Sequence, residues 1–471
     1  MRGPGTPARI ALAAGLTTAV AAGAVLVRTG VVDLSPSGAP AAGSTAPATA
    51  RASASSRVPT PAPSRTRLLP APARAAAPTT RGLAAALAPA LADRGLGRRL
   101  AASVVDVETG TQLLDHRGSA TVLPASTAKI PTAVAALTAL GPGARLTTRV
   151  LAGRSPGDVV LVGSGDVTLA GEVDDGDYPR PARLGDLARQ ATRALQGQRV
   201  TRVLIDDTAY PGPRTAPGWK PGYLTSGDVA PVDALSVDGG RTGVGGPRAA
   251  DPALDAGNAL ARALGAATAP VVRGRAPAGA RQLASVASPP VTQLVELMLT
   301  RSDNDLAESL SRQVAIAEGR PPTFEGASAA VAAVLGRVLP EQAGGFRLAD
   351  GSGLSRLDRV RPAAVTALLA HVAGGSDPRL APVLSGLPVA GFRGTLEDRF
   401  RSGAGVPAAG VVRAKTGTLS GVSALAGLVR TRSGRLLAFD LTADAVPEGA
   451  TYAAERALDA LAADLAGCGC R

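Results

Sequence analysis

The sequence predicts one α+β domain whose sheet is assembled from both ends of the chain, with a second, mainly β domain inserted in its middle. Three observations lead to this prediction. Strand patterns occur near both termini, helical patterns lie between them, and a central stretch has a different texture, rich in Gly, Pro and Asp. The 471 residues, 45% of them hydrophobic, are sufficient to build such a core.

The N-terminus has the pattern of an export segment. Arg2 and Arg9 precede an uncharged run at residues 10–27 that is rich in Ala, Leu and Val, and Arg28 ends it. The run is long for the apolar part of a cleaved signal peptide and short for a membrane span, so residues 1–33 fit a signal peptide or a membrane anchor. We therefore expect an extracytoplasmic protein, either secreted or tethered to the membrane by this segment.

Residues 34–80 predict a disordered linker, because Ala, Pro, Ser and Thr dominate and there is little apolar surface to bury. The net charge is +13, but residues 1–80 carry eight arginines against the single acid Asp33, so +7 of it lies in that leader. The remaining +6 is spread over 391 residues, and the whole chain has 10 aromatic residues. Because stacking platforms are so scarce, we expect no nucleic-acid partner.

The first half of the main domain is predicted at residues 81–146. It begins with a helical pattern in which Leu83, Leu87 and Leu91 fall four apart. Two short strands follow in LAASVVDVETGTQLLDHRG, joined at the turn sequence 108–110. PASTAKIPTAVAALTALG then predicts a helix that Gly141 ends.

The inserted domain is predicted at residues 147–289, with strand-like runs such as DVVLVGSGD and RVTRVLIDD. The second half of the main domain, 290–471, carries three strand patterns in GVVRAKTGTL, VSALAGLVRT and RLLAFDLTA, and closes with an amphipathic helix. Cys468 and Cys470 stand one residue apart near the end of the chain. A bridge between them would close a strained small ring, and four ligands for a structural zinc are lacking.

Lysine usage indicates where the chemistry lies. Of 50 basic residues only three are lysines: Lys129, Lys220 and Lys415. Lys129 follows Ser126 by three residues, so on a helix the amine and the hydroxyl share a face. A desolvated lysine can become neutral and take a proton from a serine, whereas an arginine stays protonated. Ser126 and Lys129 are therefore candidates for a nucleophile and its base.

Two further motifs accompany this pair. Ser302-Asp303-Asn304 follows an apolar helical segment, and Asn304 is one of only two asparagines in the chain. Its amide could hold a substrate amide while Ser302 relays a proton, although a helix N-cap is an equally good reading of this stretch. Lys415-Thr416-Gly417 ends a predicted strand, where the lysine and hydroxyl could bind a carboxylate and Gly417 would allow close approach.

The order SxxK, SxN and KTG resembles the active-site serine penicillin-recognising enzymes. LVGSGDVTL, GWKPGYLTSGDVAPVDALSVD, DGSGLSR and LPVAGFRGTLEDR are similar to stretches of the class C low-molecular-mass penicillin-binding proteins, the D-alanyl-D-alanine carboxypeptidase/endopeptidase family. The resemblance implies a transpeptidase-like domain shared with serine β-lactamases, an antiparallel sheet with helices on both sides. It also implies activity on peptidoglycan stem peptides, acylation by β-lactams, and no metal or cofactor.

The resemblance assigns a role to each matching residue. Ser126 would be acylated with Lys129 as its base, and Ser302 and Asn304 would serve proton transfer and amide binding. Lys415 and Thr416 would hold the terminal carboxylate, beside Gly417. The backbone N–H groups of Ser126 and Thr418 would form the oxyanion hole.

Three other readings remain. A class A serine β-lactamase shares the motifs, but neither asparagine follows a glutamate at the ExxxN spacing, and 172 residues separate Lys129 from Ser302. A Ser-His-Asp hydrolase would have to use His116 or His371, and neither lies in a catalytic pattern. An inert wall-binding protein of the same fold is the third alternative. The balance of carboxypeptidase, endopeptidase and transpeptidase action stays open.

Overall fold

A computed structural model describes residues 76–171, 178–243 and 246–470. The predicted export segment at 1–33 and most of the predicted linker at 34–80 lie outside these ranges, and both stay predictions. Among the helices of the described ranges, none combines the length and the apolar character that a membrane span needs.

The described ranges contain strands and helices throughout. The strands are β1 (Leu100–Asp106), β2 (Gln112–His116), β3 (Thr147–Ala152), β4 (Asp158–Val162), β5 (Arg202–Asp206), β6 (Val271–Arg273), β7 (Gln282–Ala287), β8 (Phe346–Arg347), β9 (Arg359–Val360), β10 (Val412–Leu419), β11 (Val422–Arg430) and β12 (Leu436–Ala443). The helices are α1 (Thr80–Leu91), α2 (Lys129–Leu140), α3 (Leu184–Leu195), α4 (Gly222–Thr225), α5 (Pro252–Ala263), α6 (Val291–Arg301), α7 (Asn304–Ala317), α8 (Phe324–Val338), α9 (Pro362–Gly374), α10 (Ala381–Gly386) and α11 (Thr451–Gly467).

The main sheet joins the two ends of the chain, as predicted. Its strand order is β10-β11-β12-β1-β2, and every neighbouring pair is antiparallel. In the β1–β12 pair, Val104 lies opposite Phe439 at the centre of the sheet. Strand β1 lies near the start of the domain and β12 near its end, so their pairing joins the two ends of the domain in one sheet.

Helices cover both faces of the main sheet. On one face α1 and α11 pack through Leu87 and Leu458 against Leu425 and Phe439, all of them buried. On the other face α2, α6, α7, α8 and α9 form the larger apolar cluster with Ala426 and Ala438 of the sheet. Both faces of β11 and β12 are therefore buried, which explains why these strands read as nearly continuous apolar runs.

The chain between β3 and β7 forms a second, β-rich unit. Its sheet has the order β6-β5-β4-β3-β7, with β4, β5 and β6 parallel and β3 antiparallel to both neighbours. Helices α3 and α5 provide the crossovers that parallel strands require, and they share one apolar cluster with this sheet. Strands β3 and β7 are adjacent, so the inserted sheet begins and ends at one place on the main domain.

One local expectation differs from the structure. Ser126 lies in a 3₁₀ turn at Ala125–Ala128, and the regular helix begins only at Lys129. Cys468 and Cys470 are joined in a disulfide, with their Cα atoms 5.1 Å apart.

A buried ion pair links the two chain ends at one edge of the β1–β12 pair. Arg435, just before β12, donates to both carboxylate oxygens of Asp106 at 2.5 and 2.8 Å, and it also contacts Glu108. Asp106 is fully buried, while the Arg435 side chain is 8% exposed. Burial by itself would raise the pKa of Asp106, but the hydrogen bonds from Arg435 and Thr109 outweigh it and hold the pKa below its ordinary value.

Replacing Arg435 by Met should destabilise the fold, because it leaves the Asp106 carboxylate buried without its partner. We expect the free energy of unfolding in urea at pH 7 to fall by about 3–5 kcal/mol. The wild-type advantage should be present above the ordinary aspartate pKa and disappear as the pH falls through the lowered pKa of Asp106. Arg189→Met, which breaks the exposed pair with Asp186, should cost less than about 1 kcal/mol. Equal losses in the two variants would contradict this account.

Candidate active site

Ser126 occupies a tight turn held between two glycines. Ala125, immediately before it, adopts a left-handed backbone with φ +48°, which is uncommon for a residue with a side chain. A Cβ on Gly353 would lie 1.9 Å from the Ala125 carbonyl oxygen, and one on Gly417 would lie 2.7 Å from that of Pro124. Only glycine allows the backbone to come so close to these carbonyl oxygens. The turn is therefore packed against loop 350–355 on one side and against β10 on the other.

Lys129 lies one turn beyond Ser126 and is fully buried. Its Nζ atom lies 3.1 Å from Ser126 Oγ, and it donates to Asn304 Oδ1 at 2.6 Å and to the Ser352 carbonyl at 2.7 Å. The last two oxygens can only accept. A neutral amine has two N–H groups and one lone pair, so when both N–H groups serve these oxygens the lone pair is left for the Ser126 hydroxyl.

Burial lowers the pKa of Lys129 from 10.5 to about 8. The surrounding carboxylates, Asp350 and Glu308 first, act in the opposite direction. None of the three direct partners of the amine is a carboxylate. The amine is thus kept near the point at which it can exchange a proton in neutral solution.

Asn304 is the first residue of α7, and both ends of its amide are used. Its Oδ1 atom accepts from Lys129, and its Nδ2 donates to the Asp228 carbonyl at 2.8 Å. The Asp228 carbonyl determines the amide orientation, since it can only accept and therefore holds Nδ2, which leaves Oδ1 toward Lys129. Asp303 caps α7 by accepting from the Leu306 N–H at 2.8 Å, so the N-cap interpretation holds for Asp303 while Asn304 faces the site.

Ser302 lies between α6 and α7 in a left-handed conformation, φ +57°. Among the described residues, none forms a hydrogen bond with the Ser302 hydroxyl. It is half-buried beside Asn304, so the structure places Ser302 next to the Ser126–Lys129–Asn304 cluster without joining it by a hydrogen bond.

Strand β10 brings Lys415, Thr416, Gly417 and Thr418 to the same place from the far end of the chain. It is an edge strand, and the Ala414 N–H points away from β11 to the Pro388 carbonyl. Because N–H groups alternate along a strand, the Thr416 and Thr418 N–H groups point outward as well. Ser126 is the second residue of its 3₁₀ turn, where a backbone N–H has no partner within the turn.

Lys415 is fully buried, and its Nζ donates to the Thr416 carbonyl at 2.8 Å. Burial and the neighbouring charge of Lys129 hold its pKa well below the ordinary value. Thr416 Oγ1 lies 2.8 Å from Thr395 Oγ1, and the exposed Thr418 hydroxyl donates to Glu455 at 3.2 Å. Two amines thus share one buried region, which disfavours charging both at once.

Sequence reasoning missed the support behind Lys129. Glu308 of α7 accepts from the Gly351 N–H at 3.1 Å and the Ser352 N–H at 2.8 Å, which fixes the carbonyl that Lys129 contacts. Asp350 accepts from the backbone N–H groups of Gly353 and Ser355. Burial and then Asp350 raise the pKa of Glu308. In the sequence, the only signal of this loop is the DGSGLSR stretch itself, in which two glycines follow Asp350.

The inserted unit also contributes contacts that the sequence did not reveal. Trp219 Nε1 donates to Asp350 at 2.7 Å, and the Asp228 carbonyl serves Asn304. Both residues lie in GWKPGYLTSGDVAPVDALSVD, which resembles a family stretch, but residue type does not show that the carbonyl of Asp228 contacts Asn304. Across the described residues, no group of three His, Cys, Asp or Glu side chains is placed to hold a metal ion.

The arrangement suits acyl transfer. It combines a half-buried hydroxyl, an amine that can take its proton, an amide with fixed orientation and an edge strand with free N–H groups. Of the predicted residues, Ser126, Lys129 and Asn304 are joined by hydrogen bonds. Gly417 lies against Pro124 and Ala125 of the Ser126 turn, Lys415 is close enough for the charge of Lys129 to lower its pKa, and Thr416 and Thr418 belong to the same strand.

Comparison with known proteins agrees with this description. The model of a family described as D-Ala-D-Ala carboxypeptidase 3 (S13) matches residues 83–246 and 245–465. A carboxypeptidase of Mycobacterium tuberculosis is 43% identical over 412 residues, which cover 86% of this chain and 87% of that relative. Carboxypeptidase DacB of Mycolicibacterium smegmatis is 44% identical over 414 residues, 86% of this chain and 88% of that relative.

Solved structures support the fold. The crystal structure of penicillin binding protein 4 from Haemophilus influenzae superimposes with a TM-score of 0.62 at 24% identity, covering 76% of this chain and 95% of that one. The same protein in complex with a β-lactam gives a TM-score of 0.59 at 23% identity, covering 79% and 98%. The predicted fold class and family are confirmed: the chain belongs to the D-Ala-D-Ala carboxypeptidase 3 (S13) family.

Proposed function

We propose that the protein is a serine-type D-Ala-D-Ala carboxypeptidase that acts on peptidoglycan stem peptides through an acyl-enzyme on Ser126. The observation that carries this proposal is the position of Lys129 Nζ, 3.1 Å from Ser126 Oγ and otherwise bound to two carbonyl oxygens. The family and the relatives named carboxypeptidase support the substrate class.

In the proposed acylation, Ser126 Oγ forms a bond to the penultimate carbonyl carbon of the peptide while its proton passes to Lys129 Nζ. The Ser126 N–H, which has no partner within its turn, and the outward Thr418 N–H stabilise the oxygen that becomes negative. The C–N bond then breaks, and D-alanine leaves after its amine receives a proton that originates from Lys129 and is relayed through Ser302. Water then forms a bond from its oxygen to the acyl carbon, the ester C–O bond to Ser126 Oγ breaks, and a proton from that water passes to Oγ, which restores the serine.

The terminal carboxylate would bind beside β10. Lys415 places a buried amine there, and Thr416 adds its hydroxyl. A β-lactam presents a strained amide carbonyl and a carboxylate in a similar arrangement, so it should acylate the same serine. Endopeptidase action would use the same steps with a larger leaving group.

The serine β-lactamase alternative shares acylation and differs in how fast water attacks the ester. A class A enzyme relies on a glutamate in an ExxxN pattern, which neither Asn258 nor Asn304 satisfies. Two buried acids of this site, Glu308 and Asp350, accept from backbone N–H groups of loop 350–355. They hold the loop rather than activate water, which favours the peptidase.

Labelling with a fluorescent penicillin should distinguish these readings. We expect the wild type to be labelled stably and Ser126→Ala and Lys129→Arg to remain unlabelled, because the first lacks the nucleophile and the second a base that can be neutral. Lys220→Arg is the matched control, since Lys220 is exposed and is the third lysine of the chain. It should label as the wild type does.

The same proteins should be tested for release of D-alanine from a peptide ending in D-Ala-D-Ala. Wild type and Lys220→Arg should release it, and the other two variants should not. Rapid turnover of the penicillin without release of D-alanine would favour the β-lactamase. A folded wild type that neither binds the drug nor cleaves the peptide would favour the inert wall-binding protein.

The acylation rate should depend on the protonation of Lys129. The base acts when neutral and its pKa is lowered to about 8, so the rate should rise roughly tenfold per pH unit well below that value and level off above it. Stopped-flow measurements of penicillin acylation between pH 5.5 and 9.5 would check this. A rate that is flat or falls with increasing pH over this range would contradict a lysine base.

We also propose that the protein is exported, since its substrate lies outside the cytoplasm and residues 1–33 carry an export pattern. In a fractionated bacterial host, the full-length chain should appear in the medium or the membrane. N-terminal sequencing should find either Met1, for a retained anchor, or a start beyond the apolar run, for a cleaved signal. Accumulation in the cytoplasm of an export-competent host would contradict this proposal.

A further inference from the structure

The inserted domain is hydrogen-bonded to the start of α7, the helix that carries Asn304. Asn304 Nδ2 donates to the Asp228 carbonyl at 2.8 Å, and the next residue, Asp305, accepts from the Ala230 N–H at 2.8 Å. Two consecutive residues of the main domain therefore hold the backbone on both sides of Val229. This short segment of the insertion is fixed with respect to the active site.

The Arg248 guanidinium contacts both α7 and the neighbouring segment of the inserted domain. Arg248, whose side chain is 6% exposed, pairs with the buried Asp305 carboxylate at 2.6 Å. Its Nε donates to the Gly227 carbonyl at 3.3 Å, and its Nη1 donates to the Gly239 carbonyl. Arg248 thus links α7 to both ends of the segment 227–239, the segment that supplies the Asp228 carbonyl.

The contact continues along α7. Ser309 donates to the Gly165 carbonyl, and Gln313 donates to the Ser164 carbonyl at 2.8 Å and to Tyr210 at 2.7 Å. Asp305, Ser309 and Gln313 are spaced four apart, so they lie on one face of the helix for more than two turns. The insertion is therefore seated on α7 through a row of polar contacts, and the Asp228 contact is one member of that row.

The orientation of the Asn304 amide matters to Lys129. The last torsion of asparagine is broad, so the amide turns readily unless both ends are held. With Asp228 in place, Oδ1 faces Lys129 and takes one of its N–H groups. A turned amide would present N–H to the amine instead, and the lone pair would lose its fixed direction toward Ser126.

We propose that Arg248 and Asp305 are positioning residues for catalysis, through which the inserted domain holds the Asn304 amide in the orientation that Lys129 needs. The proposal rests on the acylation of Ser126 described above. The insertion is thereby a working part of the active site, although it supplies neither the nucleophile nor its base.

Arg248→Met tests this in the full-length chain. It removes the link to Asp305 and to both glycine carbonyls, so we expect acylation by fluorescent penicillin to slow tenfold or more per folded molecule. The rising limb of the pH profile should also move to lower pH, because Lys129 loses an acceptor that favours its charged form. Arg202→Met is the matched control: it breaks an ion pair with Asp158 inside the inserted sheet and should leave both readouts unchanged.

Two milder variants cover the case in which Arg248→Met does not fold. Arg248→Lys keeps a charge opposite Asp305 but cannot reach both carbonyls with a planar fork, and Asp305→Asn keeps the size of its side chain. Both should acylate more slowly than wild type, and in Arg248→Lys the limb should shift in the same direction. Asp305→Asn also removes a negative charge that raises the pKa of Lys129, so for this variant the rate per folded molecule is the deciding readout. Thermal melting of each variant gives the folded fraction by which its rate is divided.

A folded Arg248 or Asp305 variant with the wild-type rate and pH limb would overturn the proposal. A rate that falls only in proportion to the folded fraction, with an unmoved limb, would also overturn it, because that is the result of a purely structural role. If wild type itself is unlabelled while folded, the acyl-enzyme mechanism fails, an outcome distinct from equal labelling of wild type and variants.

Discussion

The active site depends on a lysine amine that is buried among neutral oxygens. Lys129 contacts a hydroxyl, an amide oxygen and a backbone carbonyl, while the carboxylates of Glu308 and Asp350 bind loop backbone instead of the amine. A direct carboxylate partner would stabilise the ammonium and keep it charged. Because these acids do not contact the amine, the effect of burial on the pKa of Lys129 is larger than theirs, and the amine can serve as a base.

Glu308 and Asp350 are kept from contacting Lys129 by loop 350–355, whose buried backbone N–H groups need these carboxylates as acceptors. Loop 350–355 approaches the Ser126 turn closely through Gly353, and its N–H groups are satisfied by Glu308 and Asp350. Burial and the neighbouring Asp350 raise the pKa of Asp358 well above its ordinary value, so protonation relieves part of the repulsion among these acids. The carboxylates thus organise backbone, and that backbone presents one carbonyl to Lys129.

The three motifs come together because the fold is closed by strands from both ends of the chain. Helix α2 lies against the sheet, α7 packs on α2, and β10 passes beside the 3₁₀ turn that carries Ser126. The inserted unit leaves and re-enters through the adjacent strands β3 and β7, so it interrupts the sequence without separating α2 from α7. The hydrogen bonds between the inserted unit and α7 place this unit directly beside the active site.

Local chemistry determined much of this protein from sequence alone: the strand patterns of β1, β11 and β12, the helix after Ser126, the three-residue spacing to Lys129, and the KTG strand end. These depend on side-chain type and periodicity, which a sequence displays. The Ser352 and Asp228 carbonyls, the Arg248–Asp305 link and the Cys468–Cys470 bridge were decided only by the tertiary structure. A backbone carbonyl is the same in every residue, and pairs distant in the chain meet only once the sheet has closed. The physical reason is that sequence specifies which groups exist, whereas their desolvation and direction arise from packing.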